Sequence, residues 1–267
     1  MRTRRLFRTL PGRSRRKGIS ELSTSAIHRA VLRAIENVAL QDLTGAHLDI
    51  GSGTGELLRL VGARYSLQSF ACDYTDRLME PAAQKVDIVD LNREPLPYPD
   101  NHFALVTCIE TIEHVENFRE LIREIYRVLE ADGVAVISTP NILNLRSRLR
   151  FLSSGFYNLF GPLALDEEKV HSTRGHINPV NWFYLAHALL TTGFRDFSVT
   201  VDKYQRRSFL ALVPLILPIY LGNYVVYRRD TKQYRTISEK TAWIVHSMNS
   251  ADLLLGRTLI VTAIKPR

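Results

Sequence analysis

The sequence predicts an α/β fold built on a parallel sheet, on three observations. Short apolar runs alternate with helical stretches through residue 139. The first such run, His47 to Ile50, passes directly into Gly51, Gly53 and Gly55 and then a helical stretch. The chain of 267 residues is 45% hydrophobic, which supplies the core of one ordinary domain with insertions. Strand–helix–strand alternation of this kind requires right-handed crossovers, and hence parallel neighbours.

Ser20 to Leu40 carries Ile27, Val31, Ile35 and Val38 at helical spacing, a helix expected to pack on the sheet. Strands follow at His47–Ile50, Leu67–Asp73, Val86–Val89 and Phe103–Ile109, with helices from Thr54 and near Thr75. From Val115 to Leu129, Phe118, Leu121, Ile122, Ile125 and Val128 share one helical face opposite charged residues. Asp132-Gly133 marks a turn into a strand at Val134–Ser138. The stretch from Ile142 to Asn181 is long enough to be a lid or substrate segment. A helix at Trp182–Thr192 stops at Gly193, a strand runs from Phe197 to Val201, and Thr258–Ile264 makes the last strand.

The glycine turn sets the chemistry. Glycines there let a ligand approach the backbone ahead of a helix N-terminus. A dinucleotide site wants G-x-G-x-x-G or A, but position 56 is Glu, so the pattern reads G-x-G-x-G. Asp49, at the end of the strand, suits a cationic ligand and not a pyrophosphate. Both departures favour S-adenosylmethionine, which has an ammonium and a sulfonium and no phosphate. Asp73 follows Gly51 by 22 residues, near the spacing of a carboxylate that accepts ribose hydroxyls.

The stretch from Asp49 to Glu56 resembles the first motif of class I S-adenosylmethionine-dependent methyltransferases. The resemblance continues through Asp73, Asp90-Leu91-Asn92, Phe103–Ile109 and Leu129–Asn141, from about Thr44 to Phe197, with a final strand near Thr258–Ile264. It implies a Rossmann-like, seven-stranded, mostly parallel sheet flanked by helices; the composition of this chain itself adds an apolar insertion between the last two strands. It also implies a cofactor site of Asp49, Gly51, Ser52, Gly53, Gly55, Asp73, Asp90, Leu91, Cys108 and Ile109. His114, with Glu113, is the natural general base for a hydroxyl acceptor; the alternative is that both residues only brace the loop.

Glu110, Glu113 and His114 also resemble the E-x-x-E-H segment by which small-RNA 2′-O-methyltransferases hold a divalent cation, a cluster similar to that of some quinone-pathway O-methyltransferases. His176 is the expected fourth ligand, with His171 as its rival, for Mg²⁺ or Mn²⁺. Arg146, Arg148 and Arg150 suit an anionic substrate or a solvated helix face equally.

Charge is unevenly distributed. Of 35 basic residues, eight lie between positions 2 and 17, where there is no acid; the other 27 balance 27 acidic ones. A disordered basic tail at 1–19 is therefore expected ahead of a methyltransferase domain at 20–267, with a lid at 142–181 and the insertion at 206–256. The tail lacks the apolar segment of a secretory signal, though it fits either an anionic-surface contact or an organellar transit peptide. Ser208 to Tyr227 is twenty residues without a charge, between Arg206-Arg207 and Arg228-Arg229. Its prolines, Pro214 and Pro218, predict a broken helix: a monotopic insertion or an apolar hairpin, with an ordinary buried or dimer-forming segment as the alternative.

Cys72 and Cys108 read as buried hydrophobes in a reducing compartment. The expected activity is O-methylation of a small or lipid-linked acceptor, a glycan sugar or quinone-type molecule, by a cytoplasmic and peripherally membrane-associated enzyme. An RNA ribose 2′-O-methyltransferase is the first rival; the neutral body argues against nucleic acid. A non-catalytic cofactor-binding, membrane-associated protein is the second.

Overall fold

The computed structural model describes residues 24–38, 43–80, 84–163 and 175–267. Seven strands form one sheet: β1 Thr44–Ile50, β2 Ser66–Asp73, β3 Val86–Ile88, β4 Phe103–Ile109, β5 Leu129–Pro140, β6 Arg195–Val201 and β7 Thr258–Ile264. Their order is β3-β2-β1-β4-β5-β7-β6, with every pair parallel except those of β7, which runs antiparallel to both neighbours. The direction of winding reverses between β1 and β4. At such a switch point a crevice opens beyond the carboxyl ends of the strands.

Each face of the sheet has its own core, because successive side chains on a strand point to opposite sides. On one side, Ile27, Val31 and Ile35 of α1 (Ser25–Val38) and Leu57 and Val61 of α2 (Glu56–Gly62) pack on Leu105 and Ile109. On the other, α3 (Phe118–Val128) brings Leu121, Ile122 and Ile125 onto Leu48, Ile50 and Val106. Trp182, Leu185 and Leu189 of α5 (Trp182–Thr192) complete that layer. Side-chain caps at Asn117 and Asn181 accept from the amides of Glu120 and Tyr184 and fix where these two helices begin.

Several expectations are corrected. Residues 74–80 form turns and not a helix, because the Asp73 carboxylate takes the Thr75 amide (3.3 Å) and ties it into a local turn. Asp132 sits at φ 63° inside β5: its amide and the Gly133 carbonyl both pair with Lys265, so the expected turn is a kink within a strand that starts at Leu129. The 142–181 segment contains α4 (Leu145–Ser154), capped by Asn144; residues 164–174, His171 among them, lie outside the described residues. The basic tail likewise lies outside them.

The largest correction concerns the apolar insertion. It is no hairpin: Arg206–Lys232 is one continuous helix, α6, with Pro214 and Pro218 inside it. Both prolines lie on its exposed side, four residues apart, so the carbonyls they leave unpaired fall on one outward face. The opposite side packs Ala211, Leu212, Leu215 and Ile219 against Leu145, Leu254 and Leu255 and holds the helix in place. α7 (Glu239–Ser247) and α8 (Ala251–Leu255) then return the chain to β7.

Candidate functional site

The turn after β1 is a tight cradle. The Gly51 and Ser52 amides donate to the Cys72 carbonyl at the end of β2 (2.9 and 3.2 Å), which bends the chain back over the sheet. Gly51 has φ +72°, and a Cβ there would come within 2.2 Å of the Thr111 hydroxyl, so only glycine fits. Gly55, also left-handed at φ 77°, starts α2. The Gly53 amide donates to Asp73 Oδ2 (2.8 Å), which joins the turn after β1 to the carboxyl end of β2. The Ser52 hydroxyl is buried without a partner among the described residues.

Asp49 lies beneath this cradle. It accepts from the Thr107 hydroxyl at 2.7 Å, and that hydroxyl is itself 2.8 Å from His47 Nε2. Burial pushes His47 down to about 3, so the ring is neutral and its N–H donates to Thr107. Burial likewise raises Asp49 to about 7; the Thr107 bond opposes the shift and the Asp73 charge adds to it. A cation placed above Asp49 would reverse that shift. An orphaned hydroxyl, a buried carboxylate seeking positive charge and a floor of glycine fit S-adenosylmethionine.

Asp90 and Leu91 border the same crevice from the loop after β3. The Val89 amide donates to the Asp73 carbonyl (3.0 Å), and Asp90 Oδ1 accepts from the Asn92 amide (3.0 Å). Asn92 Oδ1 then takes the Glu116 amide (2.8 Å), joining this loop to the one after β4. Cys108 and Ile109 are buried at the end of β4, where their backbone faces the crevice floor. Both cysteines are free.

Beyond β4 the chain makes a single 3-10 turn, Ile112–His114, and the Gly175–Asn178 segment is pinned onto it. The Ile177 and Asn178 amides donate to the Glu113 carbonyl (2.9 and 3.0 Å), and the Asn178 side chain donates to the Val115 carbonyl (3.1 Å). This brings Glu113, His114 and His176 together: each offers a ligand atom, all within 4.8 Å of one another. His114 Nδ1 is 2.9 Å from the Gly175 carbonyl, which can only accept, so Nδ1 carries the proton and Nε2 the lone pair. His176 Nδ1 is buried without a partner among the described residues.

Among the described residues both Glu113 carboxylate oxygens are buried without a partner; the Thr139 hydroxyl lies alongside but makes no bond of ordinary geometry. Burial, reinforced by the Glu110 charge, holds Glu113 well above the carboxylate range. Burial also lowers His114 and takes His176 down to about 4, the latter helped by His114. Glu110 is not part of the group. At φ 53° it turns to the Ser138 hydroxyl, which donates to it at 3.2 Å; burial raises it to about 7, against this bond and the Arg257 charge.

Sequence reasoning passed over Thr107 and Thr111, the hydroxyls under Asp49 and against Gly51. A threonine amid the apolar run of β4, opposite Asp49 in β1, was the available signal.

With the geometry in place, comparison with known proteins decides the family. The profile of a methyltransferase domain family matches residues 20–199, more than half of the chain. This chain is a class I S-adenosylmethionine-dependent methyltransferase. The methyltransferase is 26% identical over 169 residues to the ubiquinone/menaquinone biosynthesis C-methyltransferase UbiE of Pseudoalteromonas translucida, a match covering 57% of this chain and 66% of that protein. To the protein of the same name from Psychromonas ingrahamii it is 33% identical over 138 residues, 46% of this chain and 54% of that one. The matched region thus spans less than two thirds of these relatives. Among solved structures, an S-adenosylmethionine-dependent methyltransferase of Archaeoglobus fulgidus superposes with a TM-score of 0.55 at 18% identity, covering 89% of this chain and 94% of that one. YcgJ of Bacillus subtilis gives 0.54 at 14%, covering 90% and 99%. At such identities these two structures speak for the fold.

Proposed function

We propose that this methyltransferase acts on a phenolic, quinone-precursor-type small molecule carrying an apolar chain, and that Glu113, His114 and His176 handle the acceptor's proton. The observation that carries this reading is the cluster itself: a buried carboxylate without a partner among the described residues, gathered with two imidazoles so that their ligand atoms lie within 4.8 Å of one another. The relatives support the acceptor class, being named for C-methylation in quinone biosynthesis.

Oxygen and carbon methylation of a phenol share a first step. Removing the phenolic proton gives an anion that is nucleophilic at oxygen and at the ortho and para carbons. S-adenosylmethionine supplies the electrophilic methyl carbon. His114, through Nε2, accepts the phenolic proton, with the Gly175 carbonyl holding the ring in the required tautomer. On carbon, once His114 has passed the phenolic proton to solvent, the same nitrogen can accept the ring proton that leaves as the methylated ring regains its aromaticity. Which atom receives the methyl is then a matter of how Phe160, whose ring is 5.3 Å from His176, and the 175–178 segment orient the acceptor. Our reading keeps oxygen as the expected atom, with carbon favoured by the names of the relatives.

The same three residues fit a divalent cation such as Mg²⁺ or Mn²⁺. Glu113, His114 and His176 would hold it, and when bound it would acidify an acceptor hydroxyl. Glu110 would support them only through its charge. The test is product analysis with a prenylated phenol and the labelled cofactor, with and without chelator. The position of the new methyl separates oxygen from carbon, and chelator sensitivity separates the metal from the plain base. No methylated phenol from protein that binds cofactor would overturn the acceptor class.

A further inference from the structure

We infer that the outer face of α6 docks the methyltransferase on an anionic lipid bilayer, lying along its surface. α6 is the one helix among the described residues long and apolar enough to cross a membrane. Its inner side is already used, by Leu145, Leu254 and Leu255. Its outer side is as apolar as its inner one: Leu210 is 80% exposed, Val213 76% and Leu217 65%, with Leu221 and Val225 continuing the row. A contiguous exposed patch of this kind is an interaction site or a liability.

Both ends of α6 are held to the same body, so it lies on the membrane and does not cross it. At its start the Gln205 amide donates to the Leu255 carbonyl (2.8 Å), and Tyr204 pairs with Gly256. Near its end the Tyr227 ring rests 4.7 Å from that of His246 in α7, the helix that sets Ile244 in the main core. A helix of 27 residues is about 40 Å long, and at both ends the chain returns to one side of any bilayer.

Charge selects the occupant. The helix carries one acidic residue, Asp230, beside Arg229 (3.5 Å), against Arg206, Arg207, Arg228, Arg229 and Lys232, all exposed at its two ends. A second copy laid against this face, parallel or antiparallel, would set arginines against arginines. Anionic headgroups would instead meet both ends while the bilayer takes up the leucines. Tyr220 and Tyr224, half exposed, suit the headgroup layer.

The apolar surface also leads to the acceptor site. α4 packs against α6 and exposes Leu152 (83%), Leu149 and Phe151; Leu159 and Phe160 follow, and these two touch His176. A lipid-borne acceptor would thus reach the cluster from the bilayer, a point that rests on the function proposed above; docking itself does not.

Flotation with phosphatidylcholine vesicles, with and without one third phosphatidylglycerol, tests this on the full chain, so that the basic residues at 2–17 are common to all samples. Wild type is expected to float with anionic vesicles at least tenfold more than with neutral ones. The Leu210→Glu/Leu217→Glu double variant should lose at least tenfold of that binding, and Arg206, Arg207, Arg228 and Arg229 changed together to Gln should lose as much. Calorimetric binding of S-adenosylhomocysteine, unchanged in both variants, establishes that they are folded and keeps the outcome separate from the methyltransferase reading. Wild type that stays in solution, floats equally with neutral vesicles, or floats as well with Glu at 210 and 217 would overturn the proposal. So would a wild-type dimer that those glutamates dissociate.

Discussion

Asp49 carries the sharpest residue-scale consequence, because one carboxylate is set between stability and binding. Its ordinary value is 3.8 and burial takes it to about 7 in the folded, ligand-free protein. The folded state therefore binds more protons than the unfolded one between these values, and the linked stability falls as pH rises. The contribution is whole below about pH 4 and lost as pH passes through 7. Asn at this position carries no such loss and keeps an acceptor for Thr107. Scanning calorimetry of Asp49→Asn without ligand is expected to give a higher Tm than wild type at pH 8 and an equal one at pH 4. Its affinity for S-adenosylmethionine should fall at least tenfold, about 1.4 kcal/mol, since the partner of the ammonium is gone. Gly51→Ala should lose cofactor binding for a different reason: its methyl would drive into Thr111. Asp49 and Gly51 were legible because they sit in one short motif, and Asp73 because it closes the next strand at a set distance from it. Thr107 was not, since its contacts lie 58 and 60 residues away, in the neighbouring strand.

At the scale of elements, the regular strands and helices followed from periodicity, and the misreadings of β5 and α6 share one cause. A local rule was outweighed by a contact distant in sequence. The prolines of α6 predicted a break, yet packing of one side on Leu254 and Leu255 keeps the helix whole. If so, Pro214→Ala and Pro218→Ala restore a backbone bond each and remove a cost of about 3 kcal/mol in a helix interior. Hydrogen exchange across residues 210–222 should slow in both variants, with cofactor affinity unchanged. Asn141 gives a complementary prediction at the far end of β5. Its buried amide donates to the Leu253 and Gly256 carbonyls, both at 3.0 Å, and its Oδ1 accepts from Leu143. Asn141→Ala leaves those groups without partners and is expected to cost about 2–3 kcal/mol by urea denaturation. The E-x-x-E-H spacing was read as three ligands, Glu110, Glu113 and His114, with His176 as the fourth from further along the chain; the left-handed backbone at Glu110 parts it from the other three.

For the whole molecule, sheet order and site location follow from one another. The reversal between β1 and β4 opens the crevice; the glycine turn floors it on one side, and the 3-10 turn with the 175–178 segment borders it on the other. The glycine-turn side of the crevice was legible in sequence, because a turn shaped by its backbone leaves glycines and fixed acids behind. The acceptor half was legible only in its residues: Glu113 and His176 lie 63 positions apart, and two backbone amides decide that they meet. The most direct test of that meeting is transfer of the labelled methyl of S-adenosylmethionine to a prenylated phenol by wild type and by His114→Ala/His176→Ala. A methylated product from wild type is expected, with turnover lowered about 100-fold or more in the double variant and S-adenosylhomocysteine affinity within twofold. Equal turnover by the two proteins would contradict the account.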